Sequence, residues 1–196
     1  MDKERISDLG KDEVFQAISS QIAQCTKCNL YQGRNNPVPG EGNLNASLFF
    51  VGEGPGANED IQGRPFVGQA GKVLDQLLAS IALQRSDVFI GNAVKCRPPG
   101  NRTPLIEEIR ACEDFLLAQL ALIEPKVVVL LGNAALTALL GANHSISRVR
   151  GTLIEHQGMN FFPIFHPAAC LYRREIFEQM KQDFMTLKNI MKEKVK

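Results

Sequence analysis

Apolar and polar positions change their period several times along this chain of 196 residues, and each change marks an element. Residues 11 to 24, KDEVFQAISSQIAQ, place Val14, Phe15, Ile18 and Ile22 on one face at helical spacing. Gln32 to Asn45 is rich in Gly, Asn and Pro and predicts a loop, and the apolar run Ser47 to Val51 predicts a buried strand. Helical periodicity returns near Gln69 to Ala82, Asp87 to Ile90 predicts a short strand, and Gly91 to Thr103 reads as a polar loop. Pro104 suits the first turn of the next helix, with Thr103 as its cap and Glu107 and Glu108 near its positive end. That helix ends near Pro125. Lys126 to Leu131, KVVVLL, is continuous, β-branched and too short for a helix, so it predicts a central strand. Asn133 to Leu140 predicts a short helix, Arg148 to Ile154 and Asn160 to Phe165 two strands, and Arg173 to Lys192 an amphipathic helix. Strands alternating with helices imply an α/β fold whose mainly parallel sheet is covered on both faces.

The chain is organised around the stretch Val51 to Gly71, VGEGPGANEDIQGRPFVGQAG. A buried strand that opens into a glycine-rich loop and then a helix lets backbone amides approach a ligand at the sheet's carboxyl edge, so the active site is expected here. Gly52, Gly54 and Gly56 are expected to supply positive φ, while Pro55 and Pro65 fix theirs. Glu53, Glu59, Asp60 and Phe66 are the chemically useful side chains of the loop. Neither GxGxxG nor GxxxxGK[ST] is present, which excludes a nucleotide fingerprint.

Composition narrows the class. At this length, with 44% hydrophobic residues, one core and one domain spanning residues 1 to 196 are expected. The net charge of +1 gives no global basic field, so a polyanion would need a local patch. The amino terminus, MDKERISDLGKDEV, lacks the apolar core of a signal peptide, and no apolar run approaches the roughly 18 residues of a membrane span. The expectation is a cytoplasmic protein with no membrane association. Five cysteines in such a chain argue for metal rather than disulfides. Cys25 and Cys28 form a C-x-x-C pair, and Cys96 and Cys112 stand downstream with fifteen residues between them. A zinc knuckle repeats the short spacing in both halves, so this spacing favours an iron–sulfur cluster over structural zinc. Cys170, in an apolar stretch, suits simple packing.

In order along the chain, CTKC, GEGPGANED, GRPFVGQAG, NAVKCRPPGNR, Cys112 and FHPAA resemble the family 4, iron–sulfur uracil-DNA glycosylases. The resemblance covers Cys25 to Tyr172. It implies a three-layer α/β/α sandwich around a four-stranded, mainly parallel sheet. It also implies a monomeric base excision repair enzyme acting on uracil-containing DNA, with one 4Fe-4S cluster held by Cys25, Cys28, Cys96 and Cys112. Carried over by position, Gly52, Glu53 and Gly54 match the first motif, Glu59 and Phe66 line the uracil pocket, Asn92 reads uracil, and His166 belongs to the second motif. Two features depart from the family's range. The second motif reads HPAAC where relatives often carry HPS, and the compact segment Lys95 to Thr103 holds no histidine of the kind that a related DNA-crosslinking group uses. Turnover is therefore expected rather than crosslinking; the alternative is an iron–sulfur nucleic-acid-binding or electron-transfer module.

The residues suit that chemistry. Breaking an N-glycosidic bond leaves negative charge on the departing base, so a catalyst gains most by stabilising a uracil anion in a dry pocket. Phe66 offers a stacking face, and the Asn92 amide matches the carbonyl and imide of uracil, a pattern cytosine lacks. His166 can donate to the oxygen on which charge develops. Where superfamily relatives carry a carboxylate for the attacking water this chain has Gly54, which leaves Glu53, Glu59 and Asn101 as candidates. Lys95, Arg97, Arg102, Arg148, Arg150, Arg173 and Arg174 are candidates for phosphate contacts.

Overall fold

A computed structural model of the chain describes residues 10–194; the charged stretch 1–9, whose composition argues against a signal peptide, lies outside the described residues. In chain order the elements are α1 (Lys11–Gln24), β1 (Glu41–Gly42), β2 (Leu48–Gly52), α2 (Ala57–Gln62), α3 (Gln69–Ser80), β3 (Phe89–Asn92) and α4 (Ile106–Ile123). They continue with β4 (Val127–Leu131), α5 (Asn133–Leu140), α6 (Ile146–Val149), β5 (Ile154–His156), β6 (Met159–Ile164) and α7 (Arg174–Lys194).

The strands form one six-stranded sheet in the order β1-β3-β2-β4-β6-β5. Its four central strands, β3, β2, β4 and β6, are parallel, as expected, and β1 and β5 add short antiparallel edges. Every residue of β2 and β4 is buried, which is what continuous apolar runs of this length achieve between two helical layers. Alternation along the strands divides the core. Leu48, Phe50, Val127 and Val129 face α3 and α7, meeting Leu74, Leu77, Met180 and Phe184. Phe49, Val51, Val128 and Leu130 face α4 and α5, meeting Leu116, Leu120, Ala135 and Leu136. A third, separate cluster of Leu30, Val94, Ile109, Cys96 and Cys112 closes the end beyond β3. Among the described residues no helix is long and apolar enough to cross a membrane.

Several local expectations differ. Glu41–Gly42, inside the expected loop, form β1, and Gly91 and Asn92, also expected as loop, end β3. Residues 57–62, read as loop, form α2, a helix of six residues between Gly56 and Gly63; it is too short to show an apolar period, and its Ile61 is exposed. Helix α4 starts at Ile106 without Thr103 as its cap, because the Glu108 carboxylate reaches back to accept the Leu105 amide at 2.7 Å. The strand expected at Arg148 to Ile154 begins only at Ile154. Arg150 is drawn to Asp183 and the Gln179 carbonyl of α7, at 2.8 and 2.9 Å, and Gly151 takes φ +73 against Asp183.

Phe50 is fully buried and stacks on Phe184 with ring centroids 5.9 Å apart, joining the sheet to α7. Phe50→Ala is expected to cost about 3–5 kcal/mol, read as a lowered urea midpoint, whereas Met185→Ala on the exposed face should stay within about 0.5 kcal/mol.

Candidate active site

A cavity of about 400 Å³ opens at the carboxyl ends of β2, β3 and β6, within the usual size of a small-molecule site. Glu53, Gly54, Glu59, Phe66, Asn92, Asn101 and His166 all line it. Gly52 lies beneath them. The parallel register pairs Gly52 with Asn92, and a Cβ at position 52 would overlap the Asn92 amide oxygen and stand 2.7 Å from the Phe66 ring. The missing side chain is therefore what lets amide and ring meet. None of Gly52, Gly54 and Gly56 takes positive φ, contrary to expectation. They serve close approach instead: a Cβ on Gly54 would meet Val94 at 2.6 Å, and one on Gly56 would meet Glu59 at 2.7 Å.

Phe66 is buried with φ +54, a left-handed backbone that a non-glycine residue keeps only when its surroundings enforce it. Arg85 donates to the Pro65 and Phe66 carbonyls at 2.9 and 2.8 Å. Glu59 Oε1 accepts the Val67 and Gly68 amides at 2.9 and 2.8 Å. Gly71 of α3 lacks the Cβ that would collide with the Phe66 carbonyl. Nothing local in the sequence pointed to Arg85, because its partners lie about twenty residues away. Asp60, also singled out, is fully buried and tied to Asn35, so it shapes the loop and does not line the cavity.

His166 follows β6 and precedes the turn Pro167–Leu171. Proline 167 has no amide hydrogen, so Ala168 is the first available donor, and its N–H donates to His166 Nδ1 at 3.2 Å. With Nδ1 an acceptor, the proton of the neutral ring sits on Nε2. Burial pushes the imidazole down to about 4, against a smaller opposing pull from Glu59. Phe66 stacks beside it at 5.7 Å between centroids.

The three candidates for the attacking water are differently engaged. Asn101 is exposed and its amide oxygen accepts from Arg97 Nε at 2.7 Å, while Glu59 is committed to the loop amides. Glu53 is half-buried, and burial pushes its carboxyl up against the opposing hydrogen bond from Thr103. Of the basic candidates, Lys95 is buried and points to Asn92 and Gln119, so it is not a phosphate ligand. Burial pulls its ammonium down to about 8. Arg97 is held by Asn101, Arg102 by Glu108 at 2.7 and 2.8 Å, and Arg150 by Asp183. Arg148, Arg173 and Arg174 are exposed.

Cys25, Cys28, Cys96 and Cys112, remote in sequence, line one small cavity together with Ile22, Lys95 and Phe115. Among the described residues no three His, Cys, Asp or Glu side chains converge tightly enough to hold a single metal ion. Four sulfur donors from remote segments suit a larger thiolate-held group, and cationic side chains stand beside them. Arg34 donates to Cys96 Sγ at 3.2 Å, Lys95 lies beside Cys112, and Lys27 lines the same cavity. Cys170 packs elsewhere, its thiol 3.4 Å from the Met180 sulfur.

A model of the Uracil DNA glycosylase superfamily matches residues 39–187. The chain belongs to the uracil-DNA glycosylase superfamily. A Type-4 uracil-DNA glycosylase of Thermotoga maritima is 45% identical over 186 residues, covering 93% of this chain and 97% of that protein. A Type-4 uracil-DNA glycosylase of Archaeoglobus fulgidus is 45% identical over 180 residues, covering 88% and 90%. One of Saccharolobus solfataricus is 42% identical over 186 residues, covering 90% and 86%. Within this superfamily chain, the match spans the whole cavity and two of the four cysteines, Cys96 and Cys112.

The state of His166 has a thermodynamic consequence. Its folded value, about 4, lies below the ordinary 6.5, so between these limits the unfolded chain binds a proton that the native protein refuses. Its contribution to stability is therefore full above pH 6.5 and is lost as pH falls toward 4. His166→Gln should flatten that part of the stability profile in denaturant titrations, and the His166 ring signals should titrate near 4 by NMR.

Proposed function

We propose that this protein is a monofunctional uracil-DNA glycosylase of base excision repair, which flips uracil out of DNA and hydrolyses its N-glycosidic bond to leave an abasic site. The observation that carries this reading is the meeting of Phe66, Asn92 and a neutral His166 in one cavity at the carboxyl edge of the sheet. Similarity to Type-4 uracil-DNA glycosylases over nearly the whole chain supports it. Two apolar layers sharing one sheet support a single domain.

Flipping costs a few kcal/mol, which stacking of the extruded base on Phe66 offsets in part. The Asn92 carboxamide donates its N–H to a uracil carbonyl and accepts the imide N–H through its oxygen. As the bond between the base nitrogen and the sugar carbon breaks, its electron pair moves onto uracil, and the His166 Nε2–H donates to the oxygen where that charge gathers. No proton need leave the ring, which suits an imidazole held neutral. Water then bonds to the electron-poor sugar carbon and gives up a proton to the Glu53 carboxylate, and the departed uracil anion takes up a proton from solvent. Asn101 lines the same cavity with its amide oxygen held by Arg97, and Glu59 is committed to the loop amides, which supports Glu53, hydrogen-bonded to Thr103, as the group that holds this water. Gly52 lets Asn92 and Phe66 pack against its bare backbone, Gly54 lets the loop pack on Val94, and Glu59 holds the wall that carries Phe66. The exposed Arg148, Arg173 and Arg174 are candidates for phosphate contacts, as are Arg97 and Arg102, whose guanidinium groups keep N–H donors beyond those given to Asn101 and Glu108.

Cys25, Cys28, Cys96 and Cys112 fit as the ligands of one 4Fe-4S cluster. Such a group would tie the end of α1 to α4 and to the segment after β3, a bracing role apart from the bond-breaking step. The purified protein should be brown, with iron and sulfide in equal amounts. Cys96→Ala should lose the colour and Cys170→Ala should keep it; a colourless folded protein with stoichiometric zinc would overturn the assignment.

Incubation with a uracil-containing oligonucleotide followed by alkali should cleave the strand at the uracil. A single charge-stabilising donor in such a pocket is worth about 3–4 kcal/mol, so His166→Ala should slow single-turnover excision by about a hundred- to a thousandfold. Wild-type rates in that variant, a covalent adduct on a denaturing gel, or a Schiff base trapped by borohydride would each sink this mechanism.

A further inference from the structure

Lys95 has no part in the scheme above, yet it is 1% exposed and sits between the two cavities. An ammonium group is costly to enclose unless hydrogen bonds replace its water, and a methionine would fill the same space without that cost. The lysine spends its donors on two acceptors. Nζ donates to the main-chain carbonyl of Asn92 at 2.8 Å and to Gln119 Oε1 at 2.7 Å. Gln119, fully buried on α4, is itself oriented by donating Nε2–H to the Pro39 carbonyl at 2.6 Å. The main chain of Lys95 is pinned as well, its carbonyl accepting the Val38 amide at 2.8 Å. Asn92 is the last residue of β3, where the regular ladder ends and the chain turns toward Cys96. Its amide oxygen already stands where a Cβ on Gly52 would be, so the carboxamide is packed against the bare backbone of Gly52.

We propose that Lys95 is a positioning residue for base recognition: anchored on Gln119, its ammonium fixes the main chain of Asn92 and thereby aims the carboxamide that reads the uracil edge. The inference rests on the functional reading above and adds to it a residue that touches neither DNA nor base. Lys95 also lines the cysteine cavity, so this role is separated from support of that site by whether the loss depends on the Asn92 side chain.

The test is a cycle on the cofactor-loaded protein with Lys95→Met, Asn92→Ala and the double variant, each assayed for single-turnover uracil excision, free-uracil inhibition and binding to abasic-site DNA. Loss of a charged hydrogen bond that aims Asn92 should slow excision by about tenfold or more and weaken free uracil by a similar factor, with abasic-site affinity within about twofold. In the Asn92→Ala background the same substitution should change excision by less than about threefold. If Lys95→Met does not fold, Gln119→Leu, which keeps the lysine and removes its anchor, is carried through the same cycle with the same expectations. Equal losses in both backgrounds, or parallel losses of uracil and abasic-site binding, overturn the proposal while uracil excision by the unsubstituted protein stands. Absence of excision by the unsubstituted protein overturns the functional reading, and this inference with it.

Discussion

No side chain can stand at position 52. The parallel register of β2 and β3 places Gly52 beside Asn92, and the space a Cβ would take is filled by the Asn92 amide and the Phe66 ring. The geometry of the pocket follows from that vacancy. For the ring to reach it, the chain at Phe66 must adopt a left-handed backbone, a strain of about 1–3 kcal/mol that persists only under external restraint. Arg85 supplies it from the carbonyl side, Glu59 from the following amides, and Gly71 by letting α3 approach without a clash. The glycine-rich stretch is thus less a flexible hinge than a set of places where two packed surfaces touch through the backbone.

How far the sequence foretold this depends on the range of the interactions. The strands were legible because β2 and β4 are buried on both faces and read as unbroken apolar runs. The residues that meet in the cavity were legible as motifs, since each stands at a strand end or in a loop with its own local pattern. What stayed hidden depends on partners far along the chain. Arg85 resembles any exposed base until its contact with the Phe66 carbonyl is seen, and Lys95 read as a phosphate ligand because nothing nearby announces Gln119. Likewise Arg148 to Leu153 has strand-like composition, but Asp183, on the far side of the core, captures Arg150 and draws the segment off the sheet. The glycines were located correctly and explained wrongly, as positions of positive φ, because composition alone does not distinguish positive φ from close approach.

Five residues connect the two cavities. From Asn92, which lines the base pocket, to Cys96, which lines the cysteine cavity, the chain passes through Ala93, Val94 and Lys95, all buried. Val94 packs both against Gly54 in the pocket loop and within the cluster of Leu30, Ile109 and Cys112. A displacement on either side must therefore be felt on the other, since close-packed interiors transmit strain. The third apolar cluster is small, and a group bound by four thiols would bring together segments that its few side chains hold weakly.

The protonation state of His166 is fixed twice over, and the two causes point the same way. Burial disfavours the charged ring, against the smaller pull of Glu59, and the Ala168 amide occupies Nδ1, so protonation would have to break a hydrogen bond as well as bury a cation. A cationic imidazole would attract the leaving anion more strongly, but its charge would be present before the bond breaks and would have to be held in the empty pocket at a cost in stability. A neutral donor costs little in the ground state and strengthens as charge develops on the base, so its stabilisation is concentrated in the transition state. In the proposed mechanism that differential comes from the turn after β6: Pro167 removes one donor, Ala168 supplies the next, and Nε2–H is left as the hydrogen the ring can offer.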